Sequence, residues 1–200
     1  MQFKYYDILS SLLAGFIVLT ITLLCFDIEY KSEYAIPYLA IAFFLGYLIN
    51  AISSCLESFY YWTIGGKPSN KIFIKKKGKD YSGISKVKFY DTDEVVFLLK
   101  QDLQDKKASY EKMFSRANFS ILGNDNSRIS DFNAHFALSR TLLTTILASV
   151  IMLIIWQPCN WQVYLMLIPL LICWNRFRER GYYYAREVLY EYLKKNKKRL

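Results

Sequence analysis

From Thr141 to Asn175 the chain runs thirty-five residues without a charged side chain, interrupted near the middle by Gln157-Pro158-Cys159-Asn160. A bilayer's hydrocarbon core, about 30 Å thick, takes about 20 mostly apolar residues per helical crossing. Thirty-five residues exceed one span and suit two, joined by a tight turn. The N-terminal third repeats the pattern, with apolar runs at Ile8–Phe26 and Ala35–Leu56 around a short acidic connection. Four hydrophobic segments in two hairpins predict an all-α, four-transmembrane-helix membrane protein.

The chain is 54% hydrophobic yet carries a net charge of +9, so the charge is concentrated outside the spans. Glu57–Arg140 holds fifteen Lys/Arg against ten Asp/Glu, and Arg176–Leu200 holds nine against three. The Asp27–Glu33 connection has three acids and only Lys31. Basic residues accumulate on the cytoplasmic side of membrane flanks. Both termini and the central segment are therefore expected in the cytoplasm, as in a multi-pass protein of a cell's inner membrane. Residues 1–64 read as the first hairpin, with spans of about 8–26 and 35–56 and an extension through Phe59-Tyr60-Tyr61-Trp62, an interfacial belt. Residues 65–136 read as a basic helical cytoplasmic segment. Residues 137–200 read as the second hairpin, with spans of about 139–156 and 160–175, then a cytoplasmic helix and a basic tail. The last two spans are short, so a re-entrant hairpin is the alternative. The first run is not expected to be a cleaved signal peptide, since Cys25-Phe26-Asp27 is a poor small-residue cleavage site.

Small and polar residues form stripes along the spans. Ser10, Ser11, Ala14 and Gly15 give the first span a face that a neighbouring helix can approach closely. The second carries Gly46, Asn50, Ser53, Ser54 and Glu57, and the third Thr141, Thr144, Thr145 and Ala148. Such residues either join helices by hydrogen bonds or line an aqueous path. Asn50, Ser53, Ser54, Thr141 and Thr145 are thus the candidate interhelical or pore-facing residues. No ionisable side chain lies at the depth of the bilayer centre, which argues against proton-coupled transport. Cys25 and Cys159 fall near the outer ends of their helices, where a disulfide is conceivable. The other reading makes all four cysteines, with Cys55 and Cys173, small apolar packers. No metal-ligand spacing and no cofactor motif is present, so neither is expected.

Beyond the second span, Gly65-Gly66 is expected to end the helix and Pro68 to prevent its restart. Lys75, Lys76, Lys77 and Lys79 follow directly, and Lys194, Lys195, Lys197, Lys198 and Arg199 close the chain. Both clusters suit lipid headgroups or nucleic acid, or form solvated loops, and the alternation around Ile72 and Ile74 allows a short strand. Asp91-Thr92-Asp93-Glu94 resembles a capped helix start, with Val95, Leu98, Leu99 and Leu103 behind it. Further helices are expected at about Ser109–Leu122, from Ser127 into the third span, and from the fourth span through Phe177–Leu193.

One constellation suggests chemistry. Arg128 and His135, the chain's single histidine, are separated by six residues. The arrangement resembles the Arg-x4–6-His motif of HEPN-type ribonucleases, which implies a membrane-tethered ribonuclease with arginine gripping phosphate and histidine as acid/base. The alternative is a local Arg128–Asp131 pair, with His135 near the headgroups. Four segments also resemble small four-span membrane proteins of bacterial anti-phage loci: YDILSSLLAG, GYLINAISSCLESFYYWTIGGKPS, SRISDFNAHFALSRTLL and FRERGYYYAREVLYEYL. These are the accessory proteins of type VI-B RNA-targeting CRISPR systems and the membrane subunit of Kiwa-type systems. The resemblance implies an accessory or effector of defence, acting as an oligomeric pore or on a cytoplasmic effector protein. The polar stripes and small soluble bulk favour a homo-oligomer. A lipid- or nucleic-acid-binding scaffold is the third reading.

Overall fold

The computed structural model describes residues 5–75, 77–121, 127–157 and 161–197. Lys76, Cys159, Lys198 and Arg199 lie outside the described residues, and with Cys159 so does the Cys25–Cys159 pairing; nothing is described of the Lys197 side chain. The chain is mostly helical and divides into two compact units, an apolar one of Met1–Ser58 and Ala137–Phe177 and a basic one of Phe59–Phe136 and Arg178–Leu200.

In the apolar unit, α1 (Tyr5–Cys25) and α2 (Ala35–Cys55) form an antiparallel hairpin. Asp27 reverses the chain at a φ of 55°, and a 3-10 turn at Ser32–Tyr34 leads into α2. The helices meet backbone to backbone. A Cβ added at Gly15 would lie 1.6 Å from the Ala42 carbonyl oxygen, and one at Gly46 would lie 1.7 Å from that of Ser11. Only glycine fits at either point, and Ser11, Ala14 and Ala42 are buried around the crossing. Ala14, Val18 and Ile49 pack with Leu45 and with Ala148 of α7 (Ser127–Trp156). Ile21, Leu153 and Val163 form a second cluster with Cys25, Met152 and Met166, joining the start of α8 (Trp161–Lys197). Large side chains such as Ile36, Phe44, Tyr47, Ile155 and Leu171 stand exposed. So much exposed apolar surface on one unit is what lipid covers and water does not.

Three helices are long and apolar enough to cross a membrane, over Ile8–Cys25, Ser32–Cys55 and Arg128–Trp156. The fourth expected span is the first part of α8, a continuous helix with Pro169 inside it. It falls short of the other three because Gln162, Pro169 and Asn175 dilute its apolar run and Arg176 and Arg178 follow at once.

The basic unit takes in α3 (Glu57–Thr63) from Phe59 onward, then α4 (Pro68–Lys71), a hairpin of β1 (Ser82–Ile84) and β2 (Val87–Phe89), α5 (Thr92–Asp102) and α6 (Tyr110–Ile121). The first turns of α7 and the last five of α8 complete it. Its core gathers Ile72, Phe89, Val95, Leu99, Met113, Ala117, Val188 and Leu189, each large side chain contributing about 1.5–3 kcal/mol on full burial.

Three local expectations are corrected. Gly65 and Gly66 do end α3, at φ 78° and 123°, but Pro68 starts a helix: it occupies the first turn of α4, where a missing N–H costs nothing. The paired strands fall after the lysine run, which itself adds an isolated antiparallel bridge from Lys75 to Ser82. Ser82 pairs with Phe89 and Ile84 with Val87 across a Ser85-Lys86 turn, so a purely helical layer is not what forms. The strands are too brief for a periodic signal, although Val87 and Phe89 are buried and Lys88 between them is exposed. Asp91 stands at the N-cap of α5 but makes no side-chain cap bond; Asp93 and Glu94 supply the negative charge in the first turn.

Candidate functional site

The first candidate lies in the apolar unit, where α2 and α7 face each other with polar side chains. Thr141 donates from Oγ1 to Asn50 Oδ1 at 3.0 Å, and the Ser53 and Ser54 hydroxyls donate to the Asn50 carbonyl at 2.7 and 3.2 Å. Thr145 returns its hydroxyl to the Thr141 carbonyl at 2.9 Å. Ser53, Thr141 and Thr145 are buried, Asn50 is half-buried and Ser54 is exposed. Just beyond them Arg140 pairs with Glu57 and donates from Nη2 to Ser54 Oγ at 2.9 Å. The two charged side chains are 14% and 28% exposed. Interhelical hydrogen bonds of this kind contribute about 0.6 kcal/mol each in a membrane protein. Arg140 was not among the residues singled out from sequence, although it directly precedes the uncharged stretch, one turn from Thr144.

The second candidate lies in the basic unit, on facing stretches of α7 and α8. Arg128 Nε forms an ion pair with Glu187 Oε2 at 3.1 Å, and among the described residues it makes no pair with Asp131. Arg186 Nη2 reaches the other Glu187 oxygen at 2.9 Å, so two guanidinium groups share one carboxylate that is 5% exposed. Phe132 stacks on Tyr183, with centroids 6.1 Å apart and planes at 24°. Guanidinium carbons lie over the rings: Arg128 over Phe132 at 6.0 Å, Arg180 and Arg186 over Tyr183 at 6.0 and 5.1 Å, and Arg186 over Tyr190 at 5.8 Å. The Arg186 Nε is buried without a hydrogen-bond partner among the described residues. His135 is half-buried, seven residues or about 10 Å of helix from Arg128. The pair shares a helix face without converging on one point. The α8 residues were missed, though Arg180-x2-Tyr183-x2-Arg186-x3-Tyr190 has helical spacing. Beside them, burial pushes the hydroxyls of Tyr182, Tyr184, Tyr190 and Tyr192 above their usual range.

The lysines spread over several partners. Lys75 pairs with Asp93, and Lys86 with the buried Glu179 at 2.6 Å. Lys79 and Lys88 both lie over the Tyr81 ring, at 5.4 and 5.1 Å, while Lys77 is exposed. At the C-terminal end Lys194 reaches Glu191 at 3.7 Å and Lys195 donates to the Ser120 carbonyl. Among the described residues no group of three His, Cys, Asp or Glu side chains could hold a metal ion. Comparison with known proteins finds no matching family model and no similar curated protein or solved structure.

Proposed function

We propose that the chain is a four-span protein of a bacterial inner membrane, with both termini and the basic unit in the cytoplasm. In this reading it serves anti-phage defence without chemistry of its own, by engaging a cytoplasmic effector rather than by opening a pore. An even number of spans returns the basic 176–200 segment to the same side as the basic 57–140 segment, as the positive-inside bias requires. The fourth crossing is 161–175, about 22 Å of helix at 1.5 Å per residue. Local bilayer thinning and snorkelling of Arg176 and Arg178 accommodate so short a span. The defence setting rests on the resemblance of the four sequence segments.

One observation carries the choice against a pore. The hydroxyls that would line it, on Ser53, Thr141 and Thr145, are buried within a single chain and bonded to its own backbone and to Asn50. A water-filled path needs those groups unspent. Reconstituted protein is therefore expected to retain encapsulated dye, and Asn50→Leu to destabilise the fold without changing leak. A ring-sized assembly that leaks, with leak altered by Asn50→Leu, overturns the reading. Phage plating on cells that carry the effector with and without this chain tests the defence role separately.

A further inference from the structure

The α7–α8 face of the basic unit alternates planar cations with aromatic rings along a regular register. Arg128 lies opposite Glu187 and Phe132 opposite Tyr183. Four residues forward on α7 match four back on α8, as antiparallel helices demand. The same register sets His135 level with Arg180. Arg128 and Arg186 share the Glu187 carboxylate on this face, and Arg180 adds a third guanidinium beside Tyr183. Among the described residues the Arg180 guanidinium meets the Tyr183 ring and no carboxylate. Arg128 is two-thirds exposed, and the buried Arg186 Nε has no acceptor among the described residues.

We propose that this face binds single-stranded nucleic acid, which goes beyond the membrane and defence reading above and does not depend on it. Guanidinium groups supply forked donors for phosphate oxygens, and aromatic rings supply surfaces on which unpaired bases stack whatever their sequence. Arginine planes themselves also stack on bases. The length fits a strand. The two helical turns from Arg128 to His135 rise about 10 Å, room for about three nucleotides at about 3.4 Å per stacked base. A lipid surface would use the same positive charge but has no use for ring planes set between the guanidinium groups.

The test uses the full chain in detergent micelles and fluorescein-labelled twelve-nucleotide oligo(U) and oligo(dT), followed by fluorescence anisotropy at low and physiological salt. Binding is expected to weaken with salt. Arg180→Gln and Tyr183→Leu are each expected to weaken it about fivefold or more, while Tyr183→Phe, which keeps the ring, retains it. Among the described residues Arg180 makes no ion pair that its loss would break, so Arg180→Gln keeps the question answerable if Tyr183→Leu disturbs packing; circular dichroism reports on both. Binding of either oligonucleotide in this pattern supports the proposal, and a preference between them reveals whether the ribose hydroxyl is read. Failure of the native chain to bind overturns it. So does binding that ignores Tyr183→Leu and Arg180→Gln but is lost in a Lys77→Ala, Lys79→Ala, Lys88→Ala triple variant, which would mark diffuse attraction to the hairpin lysines. Displacement by phosphatidylglycerol micelles with indifference to Tyr183→Leu would assign the face to lipid instead.

Discussion

Replacing Gly46 by alanine adds one methyl group to α2, and the neighbouring helix already occupies its place. On the existing backbone the methyl carbon would sit 1.7 Å from the Ser11 carbonyl oxygen and 3.0 Å from Ser11 Cα. Carbon contacts are comfortable at about 3.5–4 Å, so α1 and α2 must part by nearly 2 Å at the crossing. Over-filling a packed interface costs about 1–3 kcal/mol. Helix propensity works the other way, favouring alanine over glycine by about 0.8–1.0 kcal/mol. The clash is with backbone rather than a yielding side chain, which places the packing cost at about 2–3 kcal/mol and the expected net loss at about 1–2 kcal/mol. Gly15→Ala strikes the same crossing, with its methyl 1.6 Å from the Ala42 carbonyl oxygen and 2.7 Å from the Gly46 nitrogen. Once the helices have separated for one methyl group the second adds little, so the double variant should lose clearly less than the sum of the single losses. SDS titration of the detergent-solubilised protein, followed by tryptophan fluorescence, measures all three. Ala51→Gly on the exposed side of α2 reports the propensity effect alone. A Gly46→Ala protein as stable as the native chain, or single losses that simply add, would refute the close-contact account.

The Arg140–Glu57 pair should behave as a unit: Glu57→Gln or Arg140→Gln alone is expected to cost about 1.5–3 kcal/mol. The double variant should recover part of that in the same titration, since each single change strands a partly buried charge. Ser149→Ala should be neutral or stabilise by up to about 1 kcal/mol, because the Ser149 hydroxyl is fully buried with no hydrogen-bond partner among the described residues. Alkaline pH should unfold the basic unit first. Unfolded tyrosine ionises near 10.0, whereas burial holds the folded-state hydroxyls of Tyr182, Tyr184 and Tyr192 above that value. The neutral form is favoured by folding, so this stability is complete below pH 10 and drains as pH rises through the folded values. Far-ultraviolet circular dichroism against pH follows it, and Tyr184→Phe should move the loss to higher pH.

Three of the spans were legible because hydropathy over about 20 residues averages out local detail, and one side of the glycine crossing because Ser11, Ala14 and Gly15 share helical spacing on α1. The long uninterrupted α7 was equally open to reading from Ser127 onward. The β hairpin was not, since three-residue strands hold barely one period of alternation and take their stability from the tertiary core around Phe89. Pro68 misled because proline breaks helix interiors but suits first turns, and only the surrounding chain determines which applies. At the sites, Asn50 and Thr141 were recognisable as polar residues in apolar runs, but their meeting is a fact of packing between distant segments. Arg128 illustrates the same limit: its sequence neighbour Asp131 was the obvious partner, and its ion pair is with Glu187, fifty-nine positions away on another helix.

The apolar unit is assembled from two stretches of chain, Met1–Ser58 and Ala137–Phe177, with Phe59–Phe136 of the other unit between them. A ribosome therefore delivers its first helical pair roughly eighty residues ahead of its second, about 4–16 s at about 5–20 residues per second. During that wait Asn50, Ser54 and Glu57 lack the side chains of Arg140 and Thr141 that later complete their bonding. What holds the nascent pair together is the Ser11–Gly15 and Ala42–Gly46 contact, which draws only on residues already made. The glycines thus act on biogenesis as much as on final stability. That crossing is complete within residues 11–46, so pairing of the first two helices does not wait for α7 or α8.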